Sequence, residues 1–143
     1  WSYSRDNRVL AVLALSPPVP MFGVITEDSW NKVEGPMFLS TGTWDVNAQF
    51  FPRWELHRMA YDRAVAGNNW ALVVEGADHY LGNLICRPER EVAPQHSALK
   101  MLNASSLAFL DWKLKDSKDA AVWFDGRQSL DELTQGFAQL TKR

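Results

Sequence analysis

Apolar residues along this chain gather into short runs without alternation, separated by proline- and glycine-rich punctuation. Residues 9–15, Val9-Leu10-Ala11-Val12-Leu13-Ala14-Leu15, form the first run. It stops at Ser16-Pro17-Pro18-Val19-Pro20, where prolines remove backbone donors and force a turn. The pattern predicts a buried strand over about 8–15 and a second over 36–41. Between 52 and 64, Leu56, Met59, Ala60 and Ala64 recur at helical spacing. Pro52 stands at the first helical position and Gly67-Asn68-Asn69 supplies the stop. A third strand is predicted over 70–75. Strand, helix and strand in succession require a parallel pair joined by a right-handed crossover. From Pro94 to about Lys115, Leu99, Leu102, Ser106, Phe109 and Leu110 mark one helical face, predicted to cover the sheet. A short helical piece is expected over 119–124. Ser129-Leu130-Asp131-Glu132 then has capping-box spacing ahead of Leu133, Phe137 and Leu140, which predicts a final amphipathic helix. The segment 21–31 reads as irregular, with Met21, Phe22 and Trp30 either covering the core or lining a pocket. The class is α/β, and no repeat, low-complexity tract or linker divides the chain.

Composition agrees with folded structure: of 143 residues, 46% are apolar and 22% charged. A formal net charge of -2, with no dense run of Lys or Arg, provides no electrostatic footprint for nucleic acid or anionic lipid. The longest apolar stretch, 9–15, is far too short to cross a bilayer. The first residues, Trp1-Ser2-Tyr3-Ser4-Arg5, carry neither an initiator Met nor a signal-peptide pattern, so the chain reads as a piece of something longer. A single cysteine, Cys86, excludes an internal disulfide and a cysteine-rich zinc site.

Two polar residues stand where chemistry is built in a parallel sheet. Asp45 follows the run Met37 to Gly42, and His79 follows Ala71-Leu72-Val73-Val74-Glu75-Gly76-Ala77-Asp78. Side chains on loops after the carboxyl ends of parallel strands converge at one sheet edge. There an aspartate fixes the tautomer of an imidazole and stabilises its cation, while the imidazole moves protons. The alternatives are plain: an Asp entering a helix is a cap, and a His after a glycine is a loop residue. No Gly-x-Ser-x-Gly occurs in the chain, so the nucleophile is missing. Cys86 is expected to be structural, because nothing poises it near the acid and base. Asp78, adjacent to His79 on an extended loop, points away from it and makes a poor orienting partner. His57 and His96 fall on helices and are expected at the surface. Three histidines without local His-x-x-x-His spacing give no metal site. Trp44 and Tyr80 adjoin the acid and base. Either can bind substrate in an apolar pocket, although core packing is preferred for both. The loop 16–22 leaves the same sheet edge as another candidate pocket wall.

Gly42-Thr43-Trp44-Asp45, a helix, and then Leu72-Val73-Val74-Glu75-Gly76-Ala77-Asp78-His79-Tyr80 resemble the C-terminal half of an α/β-hydrolase. The likeness is to the group of dienelactone hydrolases, polyester hydrolases and acetylhydrolase-like esterases. Ala11-Val12-Leu13-Ala14-Leu15-Ser16-Pro17 is similar to the strand after the nucleophile helix in that family, and Ala108-Phe109-Leu110-Asp111-Trp112 to its closing helix. The resemblance implies that residues 1–143 are the C-terminal portion of one three-layer α/β-hydrolase domain, with parallel strands and flanking helices. It also implies a Ser, Asp, His order in which Asp45 and His79 are the last two members. The implied activity is hydrolysis of a carboxylic ester through an acyl-enzyme, with no cofactor. The nucleophile elbow and oxyanion donors would precede Trp1, in a missing N-terminal half or another chain. This chain alone would therefore be inactive, and the strand at 9–15 would be left as a long apolar edge. The rival expectation is a non-catalytic α/β module that binds a small ligand or a partner chain, with Asp45 as a helix cap.

Overall fold

A computed structural model describes residues 6–21, 23–125 and 129–143. Phe22, expected against the core or a pocket, lies outside the described residues. Among the described residues, four strands form one sheet: β1 (Val12–Leu15), β2 (Met37–Gly42), β3 (Asn69–Val74) and β4 (Ala138–Lys142). They lie side by side in that order. β1 runs parallel to β2 and β2 parallel to β3, with Phe38 opposite Trp70 and Gly42 opposite Val74. β4 closes the far edge antiparallel to β3.

Because side chains alternate along a strand, the two central strands feed two cores. Phe38, Trp70, Leu72 and Val74 point to one face, where they meet Ala98 and Phe109 of α2 (His96–Lys115), Phe124 of α3 (Lys118–Asp125) and Leu130 of α4 (Leu130–Leu133). Five aromatic rings interlock there. Phe38 lies 5.6 Å from Phe109 and 5.9 Å from Phe124, and Trp70 lies 4.9 Å from Trp112. On the opposite face Met37, Leu39 and Ala71 pack on Ala60, Tyr61 and Ala64, with Trp30 alongside. These last residues come from α1 (Met59–Arg63) and its C-terminal neighbour. The sheet is thus covered on both faces, which explains why β2 and β3 read as unbroken apolar runs.

The 36–41 and 70–75 strands, the long helix and the 119–124 helix appear within two residues of their predicted bounds. Other expectations are corrected. The first strand is an edge rather than a buried element: it has one neighbour, β2, and Val12 and Leu15 remain exposed. Val9 and Leu10 precede it, also exposed, so the apolar edge is real. The crossover segment is a 3₁₀ turn, Trp54–Arg58, running into the single-turn helix α1, not one helix from Pro52. The final amphipathic helix does not form beyond Leu133. Ser129 caps that turn through the Glu132 N-H at 3.2 Å, but Gln135 and Gly136 take positive φ and reverse the chain into β4. The carbonyls and N-H groups of β3 need partners, and a tail carrying Ala138 and Leu140 at alternating positions supplies them. Among the described residues, no helix is long and apolar enough to cross a membrane.

Candidate active site

The carboxyl ends of β1, β2 and β3 lie along one edge of the sheet, and each delivers a polar side chain there. Ser16 follows β1 directly, with φ of 44°. Thr41 is the penultimate residue of β2, and a turn closed by the Asp45 N-H on the Gly42 carbonyl (3.0 Å) brings Asp45 back over it. His79 follows β3 by way of Gly76, whose φ of 72° favours a residue lacking a Cβ. The two loops are stitched together. Trp44 N-H donates to the Ala77 carbonyl at 3.0 Å, Thr43 N-H to Val74 at 3.1 Å, and Gly76 N-H to Thr43 Oγ1 at 2.8 Å. Gly42 permits this approach, since a Cβ there would sit 2.1 Å from the Ala77 carbonyl oxygen.

The result is a carboxylate with every side in use. Asp45 is fully buried. Its Oδ2 accepts from Ser16 Oγ at 2.5 Å and Thr41 Oγ1 at 3.2 Å, while Oδ1 lies 2.9 Å from His79 Nδ1. Among the described residues the carboxylate accepts no backbone N-H, so it caps no helix. Burial alone would push the Asp45 carboxyl up. The His57 and His79 imidazoles and the Ser16 hydroxyl outweigh that and hold it well below the usual carboxylate range. The bond from Asp45 raises the pKa of His79, partial burial pulls it back, and the charges of Asp45 and Asp78 add to the rise. With Nδ1 committed to the acid, Nε2 is the ring nitrogen left for proton transfer, on a side chain 37% exposed.

His57 is the residue that sequence reasoning misplaced. Expected on the surface, it is 2% exposed and sits behind Asp45, with Nδ1 2.7 Å from the Pro17 carbonyl and Nε2 3.3 Å from Asp45 Oδ1. The second contact is not aligned as a hydrogen bond, and Nε2 is left without a hydrogen-bonding partner among the described residues. A signal for its burial does exist: His57 shares helical spacing with Ala60, Tyr61 and Ala64, all buried. Ser16 and Thr41 were not anticipated as partners of the acid, because only strand pairing aligns their ends with Asp45. His96 is exposed, as expected.

Asp78 turns away from His79 and organises its loop. Oδ1 accepts the Tyr80 and Gly82 N-H groups at 3.0 and 2.8 Å, and Oδ2 meets Arg90 Nη1 at 3.0 Å. Gln95 braces the same loop from the N-terminus of α2, accepting from Asp78 N-H and donating to the Gly76 carbonyl. Cys86 is exposed and not part of a core. Core packing is also wrong for Trp44. It is 63% exposed and, with Phe50, Phe51, His79 and Tyr80, lines an open cavity of about 860 Å³. Its neighbour in the turn, Asp45, takes the buried position, and the indole is left facing outward. Tyr80 stands edge-on to the His79 ring at 4.9 Å, with Arg87 and Arg90 over its face. Ser16 and His79 also border a smaller cavity of about 220 Å³.

Comparison with protein-family models, with curated proteins and with solved structures returns no match for this chain.

Proposed function

We propose that this chain is the acid and base portion of a serine hydrolase acting on carboxylic esters, the C-terminal part of a single three-layer α/β-hydrolase domain. The observation that carries the reading is the 2.9 Å contact from Asp45 Oδ1 to His79 Nδ1 at the carboxyl ends of adjacent parallel strands. It is the arrangement that leaves Nε2 as a general base. In the reaction, a serine hydroxyl passes its proton to His79 Nε2 as its oxygen bonds to the ester carbonyl carbon. Collapse of the tetrahedral intermediate expels the alcohol, which takes that proton from Nε2, and water repeats the cycle to release the acid. Asp45 holds the Nδ1-H tautomer and stabilises the imidazolium. Trp44, Phe50 and Tyr80 offer the apolar wall against which an acyl or aromatic group packs.

Ser16 is not the nucleophile of this scheme. Its hydroxyl donates to Asp45 Oδ2 and so serves the acid, away from the proton-accepting nitrogen. The attacking serine and the oxyanion donors come from polypeptide outside these 143 residues. Two measurements test the reading. A fluorophosphonate probe should leave the purified 143-residue chain unlabelled, and the protein carrying the serine should cleave short p-nitrophenyl esters. In that protein His79→Ala and Asp45→Asn should each lower turnover by orders of magnitude. The double variant should be little worse than His79→Ala alone, because triad members act as a unit. Undiminished turnover in His79→Ala would end the esterase reading.

A further inference from the structure

The Asp45 carboxylate has two imidazoles on one oxygen, and an acid–base dyad uses only one. His57 Nδ1 lies 2.7 Å from the Pro17 carbonyl. A carbonyl only accepts, so Nδ1 carries a proton, and it is Nε2 that faces the Asp45 carboxylate. That nitrogen is buried, has no hydrogen-bonding partner among the described residues, and lies 3.3 Å from Asp45 Oδ1. A ring nitrogen and a carboxylate oxygen this close in a buried site need a cation between them, either a proton or a metal ion.

We propose that Asp45, His57 and His79 form a binding site for a divalent transition metal ion, zinc by ligand type, which competes with the Asp45–His79 hydrogen bond. Each residue offers one ligating atom, and these atoms lie within 4.8 Å of one another. Ligands bonded at about 2.0 Å in a tetrahedron stand about 3.3 Å apart. The separation of His57 Nε2 from Asp45 Oδ1 is 3.3 Å. His79 Nδ1 is somewhat nearer to the same oxygen, at 2.9 Å. The outer shell is of the kind a metal site requires: the Pro17 carbonyl fixes the ring of His57, and Ser16 and Thr41 hold Oδ2 so that Oδ1 faces the imidazoles. Two imidazoles with one carboxylate favour zinc over calcium or magnesium, which take oxygen ligands. The exposed ring of His79 provides the entry path and leaves a coordination position open to water.

Binding changes the tautomer of His79. Nδ1 gives up its proton to bond the metal and Nε2 takes one up, so the loaded protein has no base at Nε2. Zinc is therefore an inhibitor of the hydrolase described above. That consequence rests on the esterase reading, whereas the binding itself does not.

The test uses the 143-residue chain, stripped with EDTA and dialysed. Zinc is titrated by calorimetry near pH 7.5, and cobalt is followed by visible absorption. One zinc per chain is expected, with a cobalt spectrum of low coordination number. His79→Gln and His57→Gln should each weaken zinc binding more than tenfold, while Cys86→Ser and His96→Gln bind as the parent does. Circular dichroism shows whether each variant is folded. If His57→Gln is not, His79→Gln decides the matter, because His79 is exposed and its loss leaves the cores intact. No binding by the folded parent, or unchanged binding in His79→Gln, overturns the proposal. Ester turnover by the serine-bearing protein with EDTA present, without any zinc isotherm, would sink the metal site alone. A zinc isotherm without turnover would sink the hydrolase alone.

Discussion

Gly42→Ala is the sharpest test of how the fold builds the site. A Cβ at Gly42 would stand 2.1 Å from the Ala77 carbonyl oxygen and 2.5 Å from the Ala77 Cβ. Ordinary contact begins at 3.4 Å, so backbone must move by about 1.3 Å. The strain falls on two loops that carry Asp45 and His79 and are joined by the Trp44 N-H to Ala77 bond. Overpacking of this kind costs about 1–3 kcal/mol, and an obstructing backbone atom places it toward the upper end. For a chain of this length that lowers the thermal midpoint by roughly 5–10 °C. Separation of the loops by about 1 Å should also cost on the order of 100-fold in turnover where turnover is measurable. Thermal melting by circular dichroism reads the first effect, and the NMR signal of the His79 Nδ1-H reads the loss of its bond to Asp45. Adding Ala77→Gly should restore little, because the shorter of the two contacts is to the carbonyl oxygen. A Gly42→Ala protein with the parent midpoint and an undisturbed Nδ1-H resonance would refute the argument.

His79 titrated by NMR with EDTA present should show a pKa above the usual 6.5, and Asp45→Asn should bring it down, since the bond from Asp45 is the largest cause of the rise. By linkage, the stabilisation from protonated His79 is full below about pH 6.5 and lost as pH rises through the folded-state value. A pKa unchanged by Asp45→Asn contradicts the pairing. Base-dependent turnover should correspondingly rise with pH through that raised value. Ser16→Ala removes a donor from a buried carboxylate and should cost about 1–3 kcal/mol by chemical denaturation. The stability that Asp45 contributes is present above about pH 3.9 and is lost as pH falls toward its depressed folded value, so Ser16→Ala should also denature at higher pH on acidification. A parent-like acid limb would show that the hydroxyl does not hold the charge. Phe38→Ala empties the centre of the aromatic core and should cost about 3–5 kcal/mol, with a loss under 1 kcal/mol showing that the five rings do not pack as described.

The central strands, the long helix and the loop positions of Asp45 and His79 were legible because each depends on local pattern. Unbroken apolar runs mark strands covered on both faces, and a polar residue just past such a run lies at a sheet edge whatever the rest of the chain does. β4 was misread because residues 133, 137 and 140 satisfy helical spacing while Ala138 and Leu140 also alternate; the open edge of β3, over sixty residues earlier, decides between them. His57 was misread for a related reason. Its partners are the Pro17 carbonyl, 40 residues away, and a carboxylate buried by a different loop, and no local pattern encodes either. Trp44 does not take its expected place in the core: the turn at Gly42 directs the Asp45 charge inward, where two hydroxyls and two imidazoles compensate it, and the indole outward. Sequence by itself determined which residues stand at the carboxyl ends of the strands. Only the tertiary structure decided which of them share a carboxylate, because buried charge is stabilised by groups gathered in space from β1, β2, β3 and the 3₁₀ turn, however far apart they lie in the chain.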